Sequence, residues 1–300
     1  MSLGKKIITF IIIFLLIVLG IFVLMKRYPA KNNEYPEKTV SENNAEKQDI
    51  INPQGNNVIT RFNTPDGYKR TDEEVGSFAD FVRNYALYPD NSKVYLYDGN
   101  PKSVQDIHTA VFKMNLSNRD LQQCADSVMR MYAEYYWNTQ QYEKIGFHFV
   151  SGFLCSYDKW REGYVVKVDG NNVEWVNSGN TDTSWEGFEK YLETVFAYAG
   201  TISMEKESEP IGIDDIRIGD IFIKGASPGH VVMIADVCVN EENGDKGFLL
   251  AQGYMPAQQF HILKNPAHDD DPWYYVSEMT WPFRTPEYTF SEGSLRRPVY

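Results

Sequence analysis

A cysteine near the start of a helix and a histidine at the start of a strand are the side chains of this sequence best suited to chemistry. Thiol catalysis requires a thiolate, and a helix N-terminus and a nearby imidazolium both favour its formation. Cys124 follows the polar segment Ser117–Asp120, which begins a helical pattern. His230 follows Pro228-Gly229 and opens an apolar strand, so it is expected at the rim of a sheet. The two residues together are candidates for a nucleophile and its base.

The position of Cys124 within its helix decides how strongly the helix field favours a thiolate. If Ser117 or Asn118 is the N-cap, Cys124 lies in the second turn and gains less; if the helix begins near Gln122, the placement is good. Taken singly, a cysteine on a helix stripe is more often a small core residue, and a strand histidine more often a satisfied polar group. These alternatives stay open at the level of sequence.

Hydrophobic periodicity predicts the elements that position these residues. Helical spacing predicts amphipathic helices over Thr71–Tyr85, from Leu121 onward, and over Trp185–Tyr198. Two short strands are predicted before the second helix, over Val94–Tyr97 and Ala110–Met114.

From Asp220 onward the pattern changes to strands. These are predicted over Ile221–Lys224, Val231–Val239 and Phe248–Gln252, joined as an antiparallel meander. Helices first and a meander last, without alternating βαβ units, indicate an α+β fold.

A third, orienting residue depends on the turn between the last two strands. A two-residue turn at Asn243-Gly244 turns Gln252 away from His230, whereas a three-residue loop places Gln252, Tyr254 and Gln258 on the His230 face. We favour Gln252 as the orienting residue, with Gln258 second. Either amide oxygen can accept a hydrogen bond from the imidazole, although a surface or structural glutamine is an equal alternative.

The segments around these residues resemble the NlpC-type and CHAP-type branches of the papain-like cysteine peptidases. In those families a cysteine begins a helix, a Gly-Asp pair precedes a strand, and a Gly-His pair opens the next strand. The similarity covers Leu121–Glu134 and Ile218–Gln258. Its motifs are Gln123-Cys124-Ala125-Asp126, Ile218-Gly219-Asp220-Ile221-Phe222 and Gly229-His230-Val231-Val232-Met233-Ile234. The rest of the chain also resembles an uncharacterised family of bacterial surface proteins.

This resemblance implies a papain-like, NlpC-like fold in which a catalytic helix packs on the antiparallel meander. It implies that Cys124 is the nucleophile and His230 the base. More than one hundred residues separate the two, which is longer than in those compact families, so residues 146–200 are expected to form a large insertion or an added layer. We expect the backbone N–H of Cys124 and the amide of Gln122 or Gln123 to hold an oxyanion, and Gln123, Tyr254 and Gln258 to contact substrate.

Composition excludes several classes of function. The formal net charge is −12 and Lys and Arg are not clustered, so a nucleic-acid partner is not expected. The three cysteines and five histidines show no metal-binding spacing, so neither a metal nor another cofactor is expected. Three cysteines cannot all pair with one another, which leaves at least one thiol available.

The beginning of the chain predicts a membrane location. Residues 7–25 form an apolar run long enough to cross a bilayer, and we interpret residues 1–27 as a membrane anchor or signal segment. Residues 28–57 are polar and predicted to be a flexible linker, and residues 58–300 a single globular domain. We expect the domain to be extracytoplasmic; the alternative is a domain that faces the cytoplasm.

The leading hypothesis is a cell-envelope cysteine hydrolase, a peptidase or amidase that acts on peptidoglycan peptides or another peptide substrate. A scaffold without catalysis that binds peptidoglycan or glycan is the main alternative. A thiol acyltransferase would use the same residues, and the sequence does not separate it from a hydrolase.

Overall fold

The computed structural model describes residues 49–170 and 172–300. The predicted membrane segment and residues 28–48 of the predicted linker lie outside the described residues. Residues 49–57 were also predicted to be linker, but they pack on the domain: Ile51 bridges Phe62, and the Asn57 side chain caps the first helix. Among the described residues, no helix is long and apolar enough to cross a bilayer.

The regular elements are numbered here in chain order. The α-helices of the described residues are α1 (Val58–Arg61), α2 (Phe78–Asn84), α3 (Cys124–Asn138), α4 (Tyr157–Arg161), α5 (Trp185–Tyr198) and α6 (Thr201–Lys206). The strands up to the meander are β1 (Tyr68–Arg70), β2 (His108–Val111), β3 (Gly146–His148), β4 (Leu154–Ser156), β5 (Tyr164–Asp169), β6 (Asn172–Asn177) and β7 (Ser208–Pro210). The remaining strands are β8 (Ile221–Lys224), β9 (His230–Asn240), β10 (Lys246–Gln252), β11 (His261–Leu263), β12 (Tyr274–Tyr275), β13 (Phe283–Arg284), β14 (Thr289–Phe290) and β15 (Leu295–Pro298).

A nine-stranded antiparallel sheet forms the centre of the described domain. Its order is β2-β11-β10-β9-β8-β15-β7, with β1 also paired to β9 and β12 to β10. Strand β9 is buried from His230 to Cys238, and α3 packs on β9 and β10. The chain therefore has an α+β fold, and the predicted meander corresponds to β8, β9 and β10.

The predicted bounds are correct for one helix and too early for another. Helix α5 covers the predicted range. Helix α2 begins at Phe78 rather than Thr71, because Ser77 accepts the N–H of Asp80 as an N-cap and Gly76 has a φ of 81°.

The two predicted early strands are only partly right. The segment from Val94 to Tyr97 forms isolated bridges, through Tyr95 and Leu96, rather than a strand. The next strand, β2, begins at His108 instead of Ala110.

Neither predicted turn joins β9 to β10. Asn240 donates its N–H to the carbonyl of Asp245, which leaves a four-residue loop between them. The register then shifts: Leu249 lies opposite Asp236, but Leu250 lies opposite Ile234. This β-bulge changes which residues of β10 share a face with the start of β9.

A buried ion cluster lies at the bulge. The Asp236 carboxylate is fully buried and accepts hydrogen bonds from Arg83 and Arg70, both at 2.7 Å. A buried carboxylate needs such partners, because an unpaired charge is very unfavourable in the protein interior. The cluster thus joins α2 and β1 to the strand that carries His230.

The predicted insertion is a layer beside α3. It contains the hairpins β3-β4 and β5-β6 together with α4 and α5. Phe188 and Tyr191 of α5 are fully buried and pack against Tyr157 of α4. This layer has its own aromatic packing and contains Cys155.

Candidate functional site

Cys124 is the first residue of α3. The helix begins there because Gln123 is the N-cap, and the Asp126 carboxylate accepts the Gln123 N–H at 3.0 Å. The structure thus selects the later of the two helix starts considered from sequence. The backbone N–H of Val231, which follows His230 in the chain, favours the thiolate form of Cys124.

Gly253 allows the end of β10 to contact the start of α3. A Cβ atom at this position would lie 2.7 Å from both the Gln123 carbonyl oxygen and the Ser127 hydroxyl. The adjoining loop is held by Asp120, whose carboxylate accepts the N–H of Ala257 at 2.7 Å. A glycine is therefore required for the strand that carries Gln252 to approach the helix that carries Cys124.

His230 is placed at the beginning of β9 by an equally tight turn. A Cβ atom at Gly229 would lie 2.3 Å from the Thr201 hydroxyl, so only glycine fits before the histidine. The His230 Nε2 atom lies 2.9 Å from Gln252 Oε1. Tyr254 and Tyr288 cover the imidazole, with ring centroids at 4.8 and 4.9 Å.

Gln252 is the centre of a buried polar network. Its amide nitrogen donates to Glu287 Oε2 at 2.6 Å and lies 3.5 Å from His261 Nε2. Lys102 contacts the same carboxylate oxygen of Glu287 at 2.5 Å. Sequence reasoning missed Lys102, His261 and Glu287, and no local motif marks them, since 35 residues separate Gln252 from Glu287 and 185 separate Lys102 from Glu287.

The electrostatics of the pair differ from the predicted thiolate and imidazolium. Burial, reinforced by the Asp126 charge, raises the pKa of Cys124 to about 12, although backbone N–H groups including that of Val231 oppose the shift. Burial lowers the pKa of His230 to about 4, against the opposing hydrogen bond to Gln252. Both side chains are therefore neutral near pH 7, and the expectation of a lowered cysteine pKa was wrong because burial outweighs the helix field.

The predicted substrate contacts have different environments. The Gln123 side chain donates to Asp120 at 3.1 Å, and the Tyr254 ring contacts the His230 ring edge-to-face. Gln258 is 1% exposed and its amide donates to the Pro256 carbonyl. The Gln258 amide nitrogen is thus occupied by Pro256, and the acceptor that faces His230 is Gln252 rather than Gln258.

The Gly-Asp pair before β8 has a structural role. Gly219 has a φ of 96° and its carbonyl accepts the Tyr132 hydroxyl at 3.0 Å. The Asp220 carboxylate accepts two hydrogen bonds from Arg297, at 2.7 and 2.9 Å. These contacts join α3 and β15 to the start of β8.

The cysteines form no disulfide among the described residues. Cys124, Cys155 and Cys238 are all buried free thiols. Within residues 49–170 and 172–300, no group of three or more His, Cys, Asp or Glu side chains is arranged to hold a metal ion.

The described residues thus include a thiol at the start of α3, an imidazole at the start of β9, and an amide at the end of β10 that is hydrogen-bonded to this imidazole. Comparison with curated proteins and with solved structures finds no match. A family model does match residues 58–297, which include the thiol, the imidazole and their supporting network. The chain belongs to the family described as domain of unknown function (4846).

Proposed function

We propose that this protein is a papain-like cysteine hydrolase of the cell envelope, a peptidase or amidase with Cys124 as nucleophile and His230 as base. The observation that carries the proposal is the 2.9 Å hydrogen bond between His230 Nε2 and Gln252 Oε1. The next residue of the His230 strand, Val231, has a backbone N–H that favours the thiolate form of Cys124. A histidine held by an amide of β10, where the end of this strand contacts the start of the helix that carries the thiol, supports thiol acyl chemistry.

The chemistry begins from a neutral thiol and a neutral imidazole. The Cys124 proton moves to His230 as the sulfur attacks the substrate carbonyl carbon, so a C–S bond forms and the carbonyl becomes an oxyanion. The imidazolium then donates its proton to the leaving nitrogen as the C–N bond breaks. Water attacks the resulting thioester with His230 again as base, which releases the acid and restores the thiol.

The oxyanion would be held by backbone and side-chain donors at the start of α3. The backbone N–H of Cys124 lies in the first turn, where no intrahelical acceptor is available. The Gln122 amide oxygen accepts from Arg130 at 3.1 Å, and its buried nitrogen has no hydrogen-bond partner among the described residues. The Gln123 amide nitrogen is already bonded to Asp120. Gln122 is therefore the better side-chain donor of the two.

The proposed substrate is a peptide of the cell wall, and the proposed location is the outer face of the membrane. The apolar run at residues 7–25 supports an anchored chain. We expect the full chain to sediment with membranes after a high-salt wash and a protease added outside to cleave within residues 28–48. A soluble mature chain beginning after residue 25 would contradict the anchor, although it would leave export intact.

Turnover of purified peptidoglycan tests the activity directly. Full-length chain in detergent should release peptides or new amino groups that mass spectrometry identifies, and the Cys124→Ala chain should release none. An added primary amine captured in the product would identify acyl transfer instead of hydrolysis. Equal release by both chains would exclude Cys124 as the nucleophile.

A second function, binding without catalysis, is favoured by one specific observation. Cys124 is only 7% exposed and its pKa is raised to about 12, which is typical of an inert packing cysteine. A binding module should sediment with peptidoglycan equally well with and without Cys124, and should release no peptide. Release of peptide by the unaltered chain that is lost in the Cys124→Ala chain would reject this second function.

A further inference from the structure

The amide of Gln252 has only one orientation that satisfies its neighbours. An ionised carboxylate accepts hydrogen bonds and cannot donate them, so the amide nitrogen must face Glu287 Oε2 at 2.6 Å. Lys102 donates a second hydrogen bond to the same oxygen, at 2.5 Å. The amide oxygen is then left facing His230 Nε2.

The second histidine requires the same orientation independently. His261 Nδ1 lies 2.8 Å from the Gln259 carbonyl oxygen, which only accepts, so Nδ1 carries the proton. The neutral ring then presents a lone pair at Nε2, which lies 3.5 Å from the Gln252 amide nitrogen. Two acceptors therefore face the nitrogen side of the amide.

The orientation of the amide determines the tautomer of His230. Because Gln252 Oε1 can only accept, the neutral imidazole must carry its proton on Nε2. The Nδ1 atom then holds the lone pair that can take a proton from a thiol. A reversed amide would place N–H against Nε2, protonate Nδ1 instead, and remove the base.

The ion pair that enforces this arrangement is largely buried. The Lys102 and Glu287 side chains are 7% and 17% exposed, and the Lys102 ammonium lies 5.3 Å from the centroid of the Tyr254 ring. The Lys102 charge disfavours protonation of His230, and the Glu287 carboxylate lies between its hydrogen-bonding partners Lys102 and Gln252. Such a buried pair is weak evidence of stabilisation on its own, so its hydrogen bond to the orienting amide is the more informative contact.

We propose that Glu287, held by Lys102, is a positioning residue that fixes the Gln252 amide and thereby keeps His230 in the tautomer that accepts a proton at Nδ1. The functional part of this inference rests on the proposed thiol chemistry. The tautomer itself does not, and it can be measured separately.

The test is a histidine side-chain NMR spectrum of the full-length chain in detergent, with nitrogen-15 label in histidine only. The chain has five histidines, so His230 can be assigned from the signal lost in His230→Gln. The unaltered chain should show His230 protonated at Nε2 at pH 7. Glu287→Gln, which can both donate and accept, should introduce the Nδ1-protonated form and slow iodoacetamide alkylation of Cys124 by roughly 100-fold.

Two further variants separate positioning from general stabilisation. Glu287→Asp keeps an acceptor-only group and should preserve the Nε2-protonated tautomer. Glu278→Gln is the matched control, because Glu278 also contacts a histidine, His268 at 2.7 Å, but on an exposed surface; it should change neither readout at His230 and Cys124.

The outcomes distinguish this inference from the proposed function. An Nδ1-protonated His230 in the unaltered chain would overturn the inference, and this measurement does not depend on any variant folding. A folded Glu287→Gln chain with an unchanged tautomer would also overturn it, while leaving the role of Cys124 intact. If Cys124 is alkylated at the same rate in the unaltered chain and in the His230→Gln chain, the proposed function is rejected even when the tautomer is as proposed.

Discussion

The surroundings of Cys124 and Cys155 bury two thiols to similar extents but in different ways. Cys124 is 7% exposed and Cys155 is 0% exposed, and burial raises the pKa of both to about 12. At Cys155, burial is the only cause of the shift. At Cys124, the Asp126 charge raises the pKa further and backbone N–H groups, including that of Val231, oppose it.

Burial alone therefore does not decide whether either thiol is a packing residue or a nucleophile. Cys155 lies in a short strand opposite Phe147, and its carbonyl accepts the Tyr191 hydroxyl at 2.8 Å. Its thiol therefore becomes accessible only when that layer opens. Cys124 adjoins the strand of His230, so its chemistry should depend on one specific side chain instead.

The largest expected effect comes from removing each cysteine in turn. Cys124→Ala should lower release of peptide from peptidoglycan by roughly 1,000-fold or more, because it removes the attacking atom. Cys155→Ala should retain turnover but lower the free energy of unfolding by about 1 to 2 kcal/mol. Mass spectrometry of released peptide and urea unfolding measure the two effects. A folded but inactive Cys155→Ala chain would indicate instead that Cys155 is the nucleophile.

The next effect concerns the bulge that brings Gln252 to the His230 face. Asp236→Ala should leave Arg83 and Arg70 without their buried carboxylate and lower the free energy of unfolding by about 3 to 5 kcal/mol. In the fraction that stays folded, the hydrogen bond from His230 to Gln252 should be lost with the register. Urea unfolding and the His230 NMR signal measure these changes. An unchanged signal would show that the bulge does not depend on this cluster.

A methyl group at the contact between α3 and β10 tests how closely the two elements must approach. Gly253→Ala places a Cβ 2.7 Å from the Gln123 carbonyl and should destabilise the fold by about 1 to 3 kcal/mol while slowing alkylation of Cys124. Gly200→Ala is the control, since nothing lies within 4 Å of its added Cβ. Equal behaviour of the two variants in unfolding and alkylation would contradict the close approach.

A further effect, seen only when pH is varied, is a pH dependence of stability caused by Asp126. Burial raises the pKa of this carboxyl to about 7, so the folded chain binds an additional proton between about pH 4 and 7. The contribution of Asp126 to stability is therefore present at low pH and lost as pH rises through 7. Asp126→Asn should remove this loss of stability. It should also lower the pKa of Cys124, because the negative charge of Asp126 raises that pKa.

Thermal unfolding of both chains from pH 4 to 7 measures the change. Their difference isolates Asp126 from His230, whose lowered pKa gives the opposite slope over part of the same range. Parallel stability curves would contradict the raised pKa of Asp126.

Periodicity predicted the parts of the fold that depend on local pattern. Helix α5 and the strands of the meander follow from the spacing of apolar residues, and the start of α3 was one of two stated alternatives. The cysteine and histidine were found for the same reason, since each begins a regular element. Their roles remain predictions.

The β-bulge, the partner of the Gln252 amide and the pKa of Cys124 depend on contacts between residues that are distant in the sequence. The bulge at Leu249 is associated with Asp236 and with arginines from α2 and β1, which no local pattern of β10 reveals. The acceptor of the Gln252 amide, Glu287, lies in a loop beyond the meander. The raised pKa of Cys124 depends on how much protein covers it, which the amphipathic stripe of α3 does not determine.

The central claim is that His230 activates Cys124. The decisive measurement is the rate of iodoacetamide alkylation at each cysteine of the folded full-length chain, followed by mass spectrometry from pH 4 to 9 with and without His230→Ala. We expect Cys124 to react faster than Cys155 and Cys238, and His230→Ala to slow it by at least about 100-fold above pH 5. The difference should diminish as pH falls through about 4, where His230 becomes protonated. A Cys124 that reacts no faster than Cys155 until the chain unfolds would contradict the account.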